Sequence, residues 1–589
     1  MNWNLDYLYP TVEAWDDAFL TFNEGLTLIP TFEGKLKKPE QFKDYFILQK
    51  KTLINAHKLY QYAALKSDLN KKDVGNASRV QKMAATLAKL SQVTAFERPE
   101  ILSLGKDYVL STIEKYDELA EYHFPMVQLF HAEKFVLSKD QESILANFSM
   151  LSNAGSNLHS ALSTADRTTV KATLKNGEEI TITSGNYRAY LADLEDEDDR
   201  ETVFAAFFKH YQENKNTYAE IYKNVLDNDI ARMRSRNYPS SLEMYLHGKN
   251  IDPSVFHNIV SVAKDNTSPL KRYYKIRQDA LGLTKHRTFD RFRHLATSSA
   301  KYSYDEAKAL FFKAIDHLGD DFKEKAKQAL EDGFVDVYEK EGKRTGAYSW
   351  SAINEHPYIL LNYNDTLDSV FTLAHEAGHS MHSLYAMEHQ PPAIQNYTIF
   401  VAEIASTFNE HVLLDYVIQH NTGSVDDKIA LLQQSIDDIM ATFYRQVLFA
   451  NYELIAHQKA EKGDPITHES LSQIMIDLYQ HYYDIDISLE PGKEMVWAYI
   501  PHLFNTPFYV YQYATSFAAS LKLYEMVKED PSNIEKHRAL LASGGSDWPL
   551  NQTAAIGIDL TTKDPFLAVV NRLETLLDAL ELALKEKAV

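Results

Sequence analysis

Apolar residues recur at three- and four-residue spacing along most of the chain, the period of an amphipathic helix. The pattern is helical over 75–97 and 142–163, and over 430–462 it continues for many turns. Between Phe566 and Lys587, Leu573, Leu576, Leu577, Leu580, Leu582 and Leu584 are interleaved with charges, which predicts an amphipathic helix at the end of the chain. Two stretches break the period. In TTVKATLKNGEEITIT, residues 168–183, two β-rich runs flank Asn176-Gly177, the favoured dipeptide of a tight hairpin. Pro357 to Tyr363 is a short extended run, preceded by the loop GKRTGAYS with Gly342 and Gly346. The acidic run Asp193 to Glu201 reads as a solvated helix start. The prediction is a mostly α protein with a boundary near residue 195. Residues 1–195 form an N-terminal helical region with a β-hairpin near its end, and 196–589 form a second, larger region.

Composition narrows the function. Only 20 Gly and 18 Pro interrupt 589 residues, in keeping with long helices. The formal net charge of −21 argues against a phosphate-backbone partner, so no nucleic acid is expected. With no cysteine, disulfides, Cys-based zinc sites, iron–sulfur clusters and thiol nucleophiles are excluded. The N-terminal sequence lacks a signal-peptide pattern and no window has the apolar length of a membrane span, so the expectation is a cytoplasmic protein with no membrane partner.

Residues 375–379 read HEAGH. Positions four apart share a helix face, so His375 and His379 can hold one zinc ion between them. Glu376 follows the first ligand and can act as a base on water. Chance would supply about 0.06 such motifs in a chain of this composition, so context matters. Asp365 is placed as the cap, Leu367, Val370, Phe371 and Ala374 form an apolar stripe, and Pro391-Pro392 stop the helix. A catalytic zinc needs a third protein ligand. His382 lies on the same helix, where its geometry would be poor. In TIFVAEIASTFNEHVLL, Glu403 and Glu410 share a face with Ser406 between them. Glu403 is preferred as the ligand and Glu410 as an outer or structural carboxylate. Asp368 and His382 are outer partners or structural residues. Further on, His502 opens PHLFNTPFYVYQYATSF, where Thr506-Pro507 predict a helix start with Tyr509 and Tyr513 on one face and Tyr511 on another. From spacing alone these aromatics can be site or core.

HEAGHSMHS, FVAEIASTFNE and HLFNTPFYVYQYATSFA together resemble the oligoendopeptidase F branch of the thimet-oligopeptidase family of zinc peptidases. WNLDYLYP, GKRTGAYS and TFYRQVLFANYE extend the resemblance over nearly the whole chain. It implies a two-lobed helical fold with a small sheet beside the zinc helix and a deep substrate channel. It implies one zinc per chain on His375, His379 and Glu403, with Glu376 as base and His502, Tyr509 and Tyr513 at the oxyanion. Short peptides would be cut internally while folded proteins are spared. Other branches carry a tyrosine five residues after the histidine matching His502, where this chain has Pro507, so the choice between Tyr509 and Tyr513 stays open. The stretch 357–363 is expected to pair with substrate as an added strand. Two alternatives stand beside this reading. One is a zinc carboxypeptidase holding a terminal carboxylate on Arg344 or Arg445. The other is a non-catalytic peptide-binding protein.

Overall fold

The computed structural model describes residues 2–138, 141–142, 144–145, 148, 151–297, 300–420 and 423–588. Helices dominate and strands are few and short, as the periodicity predicts. The chain folds into two compact units, each assembled from three segments.

Unit 1 comprises Met1–Lys134, Ala300–His420 and Ala519–Ile558. Its core joins early and late residues: Trp3, Trp15, Tyr62 and Leu119 belong to one buried cluster with Tyr358 and Leu360. The Trp3 indole N–H donates to the Ile359 carbonyl at 2.8 Å. A three-stranded sheet lies in this unit: β3 (Val335–Tyr338), β4 (Tyr348–Trp350) and β5 (Tyr358–Tyr363), in the order β3-β5-β4. β5 pairs parallel with β3 and antiparallel with β4. It is buried nearly throughout, as its continuous apolar run requires of a strand with neighbours on both sides. This corrects the expectation for 357–363. A central strand has no edge to offer a peptide; β3 and β4 are the edge strands of this sheet. Lys343 stitches the sheet together from the upstream loop. Its buried ammonium donates to the carbonyls of Tyr338 and Leu361 at 2.7 and 2.5 Å and pairs with Asp336 at 2.7 Å.

Two long helices carry the chemistry of unit 1, Leu367–His389 and Ile399–His420. The first is capped by Thr366, whose hydroxyl accepts from the Ser369 N–H, and not by Asp365. Asp365 sits one residue earlier in the left-handed region at φ +60°, outside cap geometry. The helix ends at His389, just before Pro391-Pro392.

Unit 2 comprises Phe135–Ser299, Asn421–Ala518 and Asp559–Val589; the linear boundary expected near 195 falls inside it. The predicted hairpin is present as β1 (Val170–Thr173) and β2 (Glu179–Ile182). Gly177 takes φ +84°, and the Leu174 N–H donates to the Glu178 carbonyl at 2.9 Å to close the turn. The acidic run begins the helix Glu197–Glu213, with Asp196 accepting from the N–H groups of Asp198 and Asp199. The helical reading over 142–163 lies in part outside the described residues; within them, Ala154–Ser160 is helical and a π turn follows over Ala161–Ala165. The long pattern at 430–462 is one helical run, Val425–Ile439 and Arg445–Lys462, joined by a π turn at Met440–Tyr444. The last helix spans Asp564–Lys587 and buries Leu573, Leu576, Leu577 and Leu580. Leu582 faces outward instead.

Candidate metal centre

His375 and His379 lie one turn apart on the helix Leu367–His389, and their Nε2 atoms approach to 3.2 Å. From the neighbouring helix, Glu403 Oε2 lies 3.5 Å from each. Among the described residues these three form a cluster able to hold a metal ion. The helices meet closely because Gly378 has no side chain. A Cβ there would lie 2.6 Å from the Ala405 carbonyl oxygen and from the Ser406 Cα. The Asn409 amide donates to the Ala374 carbonyl at 3.1 Å and fixes the register of the pair.

The outer contacts set the tautomers. His375 Nδ1 is bonded to the Glu410 carboxylate, and the His379 ring is held by the Ala402 carbonyl. The Nε2 edge of each ring is thereby turned toward Glu403, the arrangement of two imidazoles and a carboxylate that a metal ion requires. Glu403 is itself oriented by the Ser406 hydroxyl, which donates to Oε2 at 2.9 Å. Electrostatics follow from the same contacts. For His375, burial opposes the charged form, but Glu410, Glu376 and Glu403 outweigh it and raise the pKa to about 9. Burial and the neighbouring His375 lower His379 to about 4.

Glu376 is buried, and burial pushes its carboxyl up to about 7. It is held by the Ser349 N–H of β4, while its Oε2 has no hydrogen-bond partner. One buried carboxylate oxygen is thus left for a proton donor beside the ligand cluster.

His382 is fully buried and stacks on Tyr397, with ring centroids 3.4 Å apart. It joins no ligand in the cluster. Asp368 is raised by burial and by Glu410, which places it near the outer carboxylate. Arg344 pairs with Asp68 at 3.2 Å. Sequence reading did not find Ala402, Ser349 or Asn409 as supporting residues. Two act through backbone groups, which leave no mark in residue identity.

His502, Tyr509 and Tyr513 form a second cluster, within unit 2. Ring centroids lie 6.1 Å apart for His502 with each tyrosine and 5.4 Å for the tyrosine pair. The helix predicted to start at Thr506-Pro507 begins instead at Tyr511, after Phe508 at φ +53°. Pro507 stands in a turn, so Tyr509 precedes the helix and meets Tyr513 across the bend. Tyr511 is buried against Phe256.

A helix bearing HExxH with a carboxylate donor from the next helix defines a metallopeptidase. The chain belongs to peptidase family M3, whose model matches residues 190–572, and a model described as oligopeptidase F matches residues 100–168. It is similar to the oligopeptidase PepF of Bacillus subtilis (strain 168), at 32% identity over 98% of this chain and 86% of that one. A solved Chlamydophila abortus structure assigned as a peptidase superposes with a TM-score of 0.91 at 30% identity, covering 99% of this chain and 98% of that one. Oligoendopeptidase-F from Enterococcus faecium superposes with a TM-score of 0.75 at 26% identity, covering 98% and 99%. The resemblance read from the motifs therefore extends over the full length. Among the described residues no helix is long and apolar enough to cross a membrane.

Proposed function

We propose that the chain is a zinc endopeptidase that hydrolyses internal bonds of short peptides in the cytoplasm. The observation that carries this reading is the convergence of two imidazole Nε2 atoms and the Glu403 carboxylate beside the partnerless oxygen of Glu376. His375, His379 and Glu403 would hold one zinc ion, and Glu410 and the Ala402 carbonyl keep the rings turned toward it. When bound, zinc supplies the Lewis acidity that activates water and polarises a carbonyl. Glu376 removes the proton from the attacking water and returns it to the leaving amine. His502 and Tyr513, with Tyr509 beside them, donate hydrogen bonds to the oxyanion that develops on the carbonyl. An extended peptide lies along β4, whose Ser349 N–H holds Glu376. Absence of cysteine supports the cytoplasmic assignment.

The test is an internally quenched peptide blocked at both ends. Zinc-loaded protein is expected to cut it, and a chelator to abolish cutting. Cleavage confined to peptides with a free carboxylate, one residue at a time from that end, would instead make the chain a carboxypeptidase.

A further inference from the structure

Phe508 takes φ +53°, the left-handed region that a bulky aromatic residue enters only at a cost in backbone strain. Its ring is buried, with centroids 4.6 Å from that of His457 and 5.6 Å from that of Tyr245. The residue turns the chain between the short helix His502–Asn505 and the helix that begins at Tyr511. Just after it, the Gln512 N–H donates to the Tyr509 carbonyl at 3.0 Å, and the Tyr513 N–H to the Val510 carbonyl at 3.3 Å. This bend leaves the Tyr509 and Tyr513 rings 5.4 Å apart and both beside His502. With an ordinary negative φ at Phe508 the chain would leave in another direction, and Tyr509 would part from Tyr513.

Strain of this kind persists only where the surroundings over-determine it. The polar groups around Phe508 come from three helices of unit 2, Lys215–Ser235, Ser241–His247 and Arg445–Lys462. Glu453 and His457, four apart on the last of these, share a face. Glu453 is buried, and its carboxyl accepts from the Phe508 backbone N–H. Burial pushes that carboxyl up to about 8, against the pull of His457 and of the Phe508 N–H. Its Oε1 has no hydrogen-bond partner among the described residues. Both ring nitrogens of His457 face acceptors: Nδ1 donates to the Glu453 carbonyl at 2.9 Å and Nε2 to Asp229 at 3.2 Å. His457 is therefore a buried cation, which against burial is favoured by Asp229 and Glu453. Asp229 also accepts from the Tyr245 hydroxyl at 2.7 Å.

Packing alone does not call for this arrangement. A methionine at 453 would fill the space without the cost of burying a carboxyl that has one oxygen unpaired. What the carboxyl adds is an acceptor for the backbone N–H of the strained residue. The positive charge of His457, pinned by Asp229, attracts the carboxyl and keeps it beside the turn.

We propose that Glu453 is a positioning residue for the reaction: it holds the Phe508 N–H, fixes the turn, and so brings the Tyr509 and Tyr513 hydroxyls to one oxyanion. It touches no substrate and acts through the tyrosines. The proposal rests on the reading of those tyrosines as oxyanion donors and deepens it.

The test uses the zinc-loaded, full-length enzyme and a quenched peptide blocked at both ends. Glu453→Met removes the acceptor and keeps the volume. It should lower kcat about 10- to 100-fold, the effect of misplacing catalytic groups by roughly an ångström, with KM changed less than about twofold. Glu453→Gln, which keeps an acceptor oxygen, should recover most of that loss. In a Tyr509→Phe, Tyr513→Phe background, Glu453→Met should cost less than about threefold more, since the groups it positions are gone. An equal loss in both backgrounds would mark a structural role and overturn the proposal. Wild-type kcat in folded Glu453→Met would overturn it as well. If the double tyrosine variant keeps wild-type kcat by itself, the oxyanion reading fails, and the proposal with it. Hydrogen exchange over 506–513 reads the turn without turnover. Exchange should quicken in Glu453→Met and not in Glu453→Gln, and equal exchange in the two would overturn the proposal whatever the kinetics. If Glu453→Met does not fold, Glu453→Asp, which withdraws the carboxyl by one methylene, takes its place in each comparison.

Discussion

Glu403 and Glu410 are chemically identical and seven residues apart, and what separates them is which histidine atom each meets. Glu403 lies 3.5 Å from both Nε2 atoms, while Glu410 bonds Nδ1 of His375 on the far side of the ring. Glu403→Ala should therefore lose zinc much as His379→Ala does. Glu410→Ala should keep the ligand set and weaken zinc affinity about 10- to 100-fold. Metal content after dialysis against a graded chelator checks both, and the reverse order would exchange the two assignments. Glu376→Gln should keep metal and fold yet lose several orders of magnitude in turnover, because the amide accepts no proton. Single-turnover rates on a blocked peptide read this directly, and near-wild-type turnover would remove Glu376 from the reaction.

At the scale of elements, the metal centre depends on how closely two helices approach. Gly378→Ala puts a methyl group 2.6 Å from backbone atoms that cannot rotate away. It should cost at least about 1–3 kcal/mol and pull Glu403 out of position. A drop in Tm together with weakened zinc binding is expected; unchanged values of both would show that the helices part freely. In the aromatic cluster, Tyr513→Phe should lower kcat about a hundred- to thousandfold, the usual loss of an oxyanion donor. Tyr511→Phe, buried against Phe256, should leave kcat close to wild type. Equal effects at the two positions would take the cluster out of the reaction. Much of this was readable from residue order. HEAGH fixes a face of one helix, and Glu403 and Glu410 fix a face of the next. The hairpin was visible in Asn176-Gly177. The cap at Thr366, the turn before Tyr511 and the central place of β5 were not, because each depends on a backbone dihedral or a pairing partner. Asp365 and Thr366 are both good caps by composition, and only φ +60° at Asp365 decides between them.

At the scale of the whole molecule, sequence modules and compact units do not coincide. The family model begins at residue 190, close to the boundary expected near 195, yet unit 1 joins Met1–Lys134 to Ala300–His420 and Ala519–Ile558. We retain 1–195 and 196–589 as a proposed division of the sequence and not as a pair of independent folds. Residues 1–195 expressed alone would lack Phe334, Tyr358 and Leu360, which share the core of Trp3 and Trp15. The Trp3 indole would also lose its acceptor at Ile359. The fragment should be helical by far-ultraviolet circular dichroism but should unfold without a cooperative transition. A sharp thermal transition with native near-ultraviolet signals would contradict this. Helical periodicity could not reveal the interleaving, since an amphipathic face states that it is buried and not by which distant segment.

The π turn at Met440–Tyr444 has a consequence for heredity. A helix advances about 100° per residue, so deleting one residue there could close the turn into regular α structure without breaking the helix. Arg445, Gln446 and Phe449, which line one cavity of about 400 Å³ in unit 2, would keep their facing, because the turn absorbs one extra residue within an otherwise regular helix. A one-residue gap at this point in a descendant chain would thus spare that wall and leave HEAGH and Glu403 intact, which makes the turn a place where chain length can drift without loss.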